Sequence, residues 1–163
     1  QPLGGKFDHD IDGTLRGSWF EENTNFYEGL PGIKSGYGHY WKTHISFSPD
    51  PVDPDAFIIS LGNFNGAPRQ FAAKGNSPKP EDVALNSGLV VYELVQRGYV
   101  DGKGNPWSFG PAVKGLQAEQ GIKVDGIALV QLIEPRKLKF EVFPEKTALQ
   151  SNEFTNNAKI YER

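Results

Sequence analysis

The residues with the clearest metal-ligand spacing form an Asp-x-Asp-x-Asp-Gly run near the start of the chain. Asp8, Asp10 and Asp12 alternate and Gly13 follows, as in the first half of a calcium loop, where carboxylates at positions 1, 3 and 5 converge. The bidentate glutamate of an EF-hand belongs at position 12 of the loop, where this sequence has Trp19. A complete EF-hand is therefore excluded. Two interpretations stay open, a structural calcium site in an irregular loop and, favoured here, a solvated acidic turn.

The histidines do not have the spacing of a shared metal site. His39 and His44 are an odd number of residues apart, so on one regular strand their side chains point to opposite faces. A three-histidine zinc site is not expected, because its ligands must converge on one ion. His39 shares its face with Tyr37 and Trp41, which predicts a hydrogen-bonded core histidine, a polar group in a binding pocket, or a general base if the protein is an enzyme.

Composition excludes several function classes. The net charge of −3 gives no basic surface for a phosphate backbone, so nucleic acid is not an expected partner. No apolar run approaches the ~18 residues of a membrane-spanning helix, and the absence of cysteine excludes disulfides and thiolate metal sites. The first residue is Gln1 rather than Met, which favours a processed or trimmed start, with export to the periplasm or the medium as one expectation.

Turn residues and alternating apolar positions predict an all-β fold over residues 1–163, with residues 1–13 as an N-terminal arm and acidic loop. Asn65-Gly66 is a two-residue hairpin signal, and Pro135 occupies the second position of another predicted turn. The stretch 97–125 is too long to be structureless; it predicts a short helix over 112–120 or an extra hairpin around Trp107. The predicted strands are 14–20, 37–48, 56–63, 68–75, 88–96, 126–134, 137–143 and 158–163.

These strands predict one architecture, a single eight-stranded antiparallel up-and-down β-barrel with short helical turns in its loops. Such a barrel has room for one small ligand in its interior. The strands 88–96 and 126–134 are apolar on both faces, so alternation alone does not decide which face points inward. Either Glu93 and Gln131 face the interior and need polar partners, or Tyr92 and its neighbours fill it.

The triplet Gly17-Ser18-Trp19 on the first predicted strand resembles the Gly-x-Trp signature of lipocalins and their calycin relatives. The resemblance implies that Trp19 lies at the closed end of an eight-stranded barrel and that a late basic residue, Arg163 or Lys159, packs over it. The sequence has no cysteines for the lipocalin disulfide and no clear helix before the last strand. The resemblance therefore implies the architecture and leaves the ligand class open.

Three functional hypotheses follow from the predicted barrel. The first is a non-enzymatic protein that binds a small, partly apolar molecule in an interior pocket, with Trp19, His39, Trp41 and Tyr92 as ligand-binding residues. The second is a solid barrel whose loops, 23–36 and 97–125, contact another protein or a glycan. The third is an enzyme that uses His39 as general base. No cofactor is predicted apart from the structural calcium ion, which is the less favoured interpretation of the acidic run.

Overall fold

The computed structural model describes residues 10–28, 41–108, 110–111 and 113–163. Eight strands pair in chain order, each antiparallel to the next, and the last closes onto the first, which confirms the predicted all-β barrel. None of the helical turns in these ranges has the length and apolar character of a membrane-crossing helix. The strands are β1 (Gly17–Glu21), β2 (His44–Pro49), β3 (Phe57–Phe64), β4 (Ala67–Ala73), β5 (Val90–Val100), β6 (Gln117–Glu134), β7 (Lys137–Pro144) and β8 (Lys159–Glu162).

Alternation along each strand fills the barrel interior. Phe47 of β2 lies opposite Ile59 of β3, and both side chains are fully buried in one core cluster with Trp19. On β5 and β6, Tyr92 and Val130 face this core. The question that the sequence left open is thus decided: Glu93 and Gln131 lie on the opposite, outer face of the sheet.

The outer face of β5 to β7 is also covered. Ile127 and Leu129 alternate with the core-facing residues of β6, yet both are fully buried. The connection between β7 and β8 runs along this face, because the Ala148 N–H donates to Glu93 Oε1 (3.2 Å) and the Thr155 N–H donates to Glu141 Oε2 (2.7 Å). This explains why β6 is apolar on both faces, since each face contacts protein.

The predicted strand over 37–48 is wrong at its beginning. Residues 37–40 lie outside the described ranges, Trp41–Thr43 form a 3-10 turn, and the strand begins at His44. The turn lies directly on Gly62 of β3, where an added Cβ would overlap the Trp41 carbonyl oxygen. Trp41 therefore does not continue the inward face of Ile45 and Phe47, as strand alternation predicted. The first strand is also shorter than predicted and begins at Gly17.

The predicted helix over 112–120 is wrong as well. β5 and β6 continue beyond the barrel as a two-stranded arm, whose described residues are 97–108, 110–111 and 113–123. In this arm Arg97 pairs with Gln120 and Val100 with Gln117. Gly115 has a φ of 70°, a left-handed conformation that a helix interior does not allow. The alternative of a hairpin near Trp107 describes the region better, because the Trp107 N–H donates to the Tyr99 carbonyl (2.7 Å) beside the arm.

The arm is fixed to the barrel through a buried carboxylate. Asp50, only 6% exposed, accepts a hydrogen bond from the Tyr99 hydroxyl (2.9 Å) and lies 3.6 Å from the Arg97 guanidinium. Its other oxygen accepts the N–H groups of Val52 and Asp53, which closes the turn after β2. Burial lowers the pKa of Arg97, and the nearby Asp50 charge opposes that effect.

Two predicted hairpins are confirmed. Asn65 and Gly66 join β3 to β4 with φ angles of 53° and 89°, the positive pair that a type I′ turn requires. Residues Glu134 and Lys137 pair across the turn that contains Pro135 and joins β6 to β7. The short helical turns predicted for the loops include a 3-10 turn over Pro80–Asp82.

Candidate functional site

The closed end of the barrel is held by Trp19 and Arg163. The Trp19 indole is fully buried and donates Nε1–H to the Leu15 carbonyl (2.9 Å). The Arg163 guanidinium carbon lies 4.1 Å from the centre of the Trp19 ring, and its nitrogens donate to three backbone carbonyls within 2.8 Å, those of Ile11, Thr14 and Arg16. Of the two basic residues implied by the resemblance, Arg163 packs over Trp19, whereas Lys159 pairs with Glu21 (2.8 Å).

Asp10 belongs to the same closed end. Its Oδ1 accepts the Ser18 N–H (2.7 Å) and lies 3.9 Å from Arg163, and an added Cβ at Gly17 would overlap this carboxylate. Gly17 thus leaves room for Asp10 beside the first strand. Of the other predicted calcium ligands, Asp8 lies outside the described residues and Asp12 is exposed. Within the described ranges no group of three histidine, aspartate or glutamate side chains could hold a metal ion, and the calcium site stays a prediction.

The predicted ligand-binding residues do not all converge. Tyr92 is fully buried in the cluster that contains Trp19, contacts Phe47 and Phe57, and donates its hydroxyl to the Pro78 carbonyl (2.9 Å). Burial raises the pKa of this hydroxyl well above its ordinary value, so Tyr92 stays neutral. Trp41 lies away from that cluster on the outer surface, and His39 falls outside the described residues.

The open end of the barrel, which we call the mouth, is less completely filled. Phe64, at the end of β3, contacts Phe71 of β4 edge to face with ring centres 4.7 Å apart. Its ring also reaches β6, because an ideal Cβ at Gly126 would lie 3.3 Å from Phe64 Cε2. The Phe64 ring therefore bridges β3 and β6 at the mouth.

The mouth contains two clefts, one lined by residues of β3 to β7 and the other mainly by residues of β2, β3, β7 and β8. The larger, of about 500 Å³, has aromatic walls from Phe64 and Phe71 and a charged rim that includes Arg69 and Lys123. The smaller, of about 280 Å³, has apolar walls and a rim that includes Lys42. Further lining residues are Gln96, Val124, Asp125 and Glu145 in the larger cleft, and Ile45, Asn63, Phe140, Val142 and Tyr161 in the smaller.

The mouth combines apolar and polar lining residues, as small-molecule binding sites do. Apolar and aromatic side chains provide the area, and a small number of polar groups at the rim can orient a ligand. Lys42 and Lys123 form no ion pair among the described residues, so both can contact a polar group of a ligand. Burial raises the pKa of Tyr161, with a further contribution from Glu21, so its hydroxyl stays a neutral donor.

Sequence reasoning did not find the mouth. It ended the third strand at residue 63 and therefore assigned Phe64 to a turn, whereas a bulge between Leu61 and Phe64 brings this ring to the mouth. An aromatic residue immediately before an Asn-Gly hairpin was the available signal. No protein-family model, curated protein sequence or solved structure matches this chain.

Proposed function

We propose that this protein binds a small, partly apolar molecule at the open end of a lipocalin-like barrel. The observation that carries the proposal is the pair of clefts beside Phe64, whose volumes of about 500 and 280 Å³ lie near the range of ligand pockets, roughly 300–1,000 Å³. Aromatic walls with a polar rim favour a ligand that has both an apolar body and a polar end.

Close packing at the closed end favours a ligand position near the mouth rather than deep in the barrel. Leu15, Trp19, Phe47 and Tyr92 are fully buried in one cluster, and close-packed interiors leave no space for a guest without displacing side chains. The ligand therefore occupies the mouth, and Trp19 and Tyr92 support the barrel beneath it without contacting the ligand.

The lipocalin-like assignment is supported by the closed end rather than by the clefts. Gly17-Ser18-Trp19 begins the first strand, and Arg163 packs over the indole from beyond the last strand. This arrangement matches what the resemblance implies for calycin barrels.

A fluorescence titration tests the mouth. The probe is 1-anilinonaphthalene-8-sulfonate, which combines an apolar ring system with an anionic group. We expect the unmodified protein to bind it, and a Val124→Trp, Val142→Trp double variant, which fills both clefts, to bind it at least about tenfold more weakly, a loss of about 1.4 kcal/mol. Leu149→Trp is the control, because Leu149 is fully exposed and contributes to neither cleft.

Near-ultraviolet circular dichroism verifies that each variant keeps its tertiary structure. If the folded double variant binds the probe as tightly as the unmodified protein, the mouth is not the binding site. If the unmodified protein does not bind the probe, the barrel has no accessible apolar site and the proposal fails.

A further inference from the structure

A groove of about 480 Å³ crosses the outer surface of β2, β3 and β4. It differs from the mouth clefts because it is formed mainly by residues that alternate with the inward-facing Ile45, Ile59 and Phe71. Arg69 also lines the larger mouth cleft. The residues that line it include Trp41, His44, Ser60, Pro68, Arg69 and Gln70.

The position of Trp41 in this groove is determined by the backbone. An added Cβ at Gly62 would overlap the Trp41 carbonyl oxygen and lie 2.8 Å from the His44 carbonyl oxygen, so only glycine lets the 3-10 turn Trp41–Thr43 contact the sheet this closely. The Trp41 side chain is 39% exposed. An indole with a fixed backbone and an accessible surface is a rigid platform that loses little entropy when a ligand packs on it.

Beneath His44, an aromatic cluster supports the groove. The His44 ring stacks on Phe20, with ring centres 5.0 Å apart and an interplanar angle of 20°, and Tyr27 lies 6.3 Å from His44. Burial lowers the pKa of His44, although Asp10 opposes the effect. The imidazole is therefore neutral near pH 7 and adds no charge to the groove.

Beside the apolar Leu61 and Pro68, three further side chains of the groove are hydrogen-bonding groups. Gln70 Oε1 accepts a hydrogen bond from Arg97 (2.9 Å), which fixes the amide and leaves its NH₂ as a donor. Arg69 is exposed and forms no ion pair among the described residues. The Ser60 hydroxyl makes no hydrogen bond within those ranges and can both donate and accept.

We propose that this outer groove binds a saccharide. The C–H face of a sugar ring packs on an aromatic surface, and its hydroxyls need planar donors and acceptors at the edge of that surface. Trp41 supplies the surface, and Gln70, Arg69 and Ser60 supply hydrogen bonds. The polar side chains beside Trp41 disfavour a wholly apolar ligand, and Arg69 disfavours a cation. The inference does not rest on the proposed ligand at the mouth, although Arg69 lines both sites.

Nuclear magnetic resonance of the ¹⁵N-labelled full chain provides a direct test, because the three tryptophans give three indole N–H signals. The probes are maltotriose, cellotriose and tri-N-acetylchitotriose, with a decaproline peptide as the competing ligand class. Each is added to about 10 mM, ten times a weak Kd of about 1 mM. We expect at least one trisaccharide to shift the Trp41 signal saturably and to leave the buried Trp19 signal unchanged.

Variants then assign the binding to the groove. Trp41→Ala should weaken trisaccharide binding at least about tenfold, as expected for an aromatic anchor. Trp107→Ala, which removes a tryptophan of the arm, should leave the affinity unchanged. Gln70→Ala should weaken binding about threefold or more and keeps the test decisive if Trp41→Ala does not fold, because Gln70 is exposed.

Three results would overturn the proposal. One is the absence of a Trp41 shift with all three saccharides. Another is a shift with decaproline alone, which would assign the groove to proline-rich peptides that bind aromatic surfaces. The third is unchanged saccharide affinity in a folded Trp41→Ala or Gln70→Ala variant.

Discussion

Substitution of Arg163 should destabilise the barrel far more than substitution of a typical surface arginine. Its side chain is only 2% exposed, it donates to three backbone carbonyls and it packs on the Trp19 ring. A hydrogen bond to a charged group contributes about 1.5–3 kcal/mol and a cation–π contact about 0.5–2 kcal/mol. These terms do not add fully, because water can reach the carbonyls after truncation. We therefore expect Arg163→Ala to lower the free energy of unfolding by about 3 kcal/mol.

Lys159→Ala is the matched control, since Lys159 is a basic residue of the last strand, half exposed, and pairs with Glu21 at the surface. That pair should contribute less than about 1 kcal/mol. Arg163→Lys should fall between the two, because lysine keeps the charge and lacks the planar array of donors. Urea unfolding monitored by circular dichroism measures all three. Equal losses for Arg163→Ala and Lys159→Ala would refute the assignment of Arg163 as the residue that closes the barrel.

Two further predictions concern the arm and the histidine. Tyr99→Phe removes the hydroxyl that binds Asp50 and should lower the free energy of unfolding by about 1–3 kcal/mol. Amide hydrogen exchange should accelerate at Glu119 in the arm more than at Leu129 in the barrel. Equal acceleration at both positions would contradict the role of Tyr99 in anchoring the arm. Burial lowers the folded-state pKa of His44, so the unfolded chain binds more protons and the free energy of unfolding falls as the pH drops below about 6.5. His44→Phe should reduce this dependence, and an unchanged slope between the two proteins would show that His44 is not its source.

Local sequence was sufficient where one strand and its turn determine the structure. The alternation of Leu138, Phe140 and Val142 gave the inward face of β7, and Asn65-Gly66 gave the β3–β4 hairpin. Both features depend on residues close in sequence, namely a two-residue period and a pair of positive φ angles. The strand number and the closed antiparallel order followed from such local units.

Long-range contacts explain what the sequence did not reveal. Strand alternation assigned Trp41 to the interior, whereas the close approach of its backbone to Gly62, from a different strand, produces a 3-10 turn. The arm depends on the contact between Tyr99 and Asp50, which are 49 positions apart, and its extended strands replaced the predicted helix. Phe64 reaches the mouth because a bulge in β3 changes its register, and no pattern within β3 alone indicates that bulge.

The central claim, a binding site at the mouth above a filled closed end, can be tested most directly by methyl nuclear magnetic resonance. The isoleucine, leucine and valine methyl groups of the protein are labelled, and 1-anilinonaphthalene-8-sulfonate is titrated into the sample. The signals of Ile45, Val124 or Val142 should shift, and those of Leu15 and Leu132 at the closed end should not. Shifts confined to Leu15 and Leu132, or to the exposed Leu149, would contradict the account.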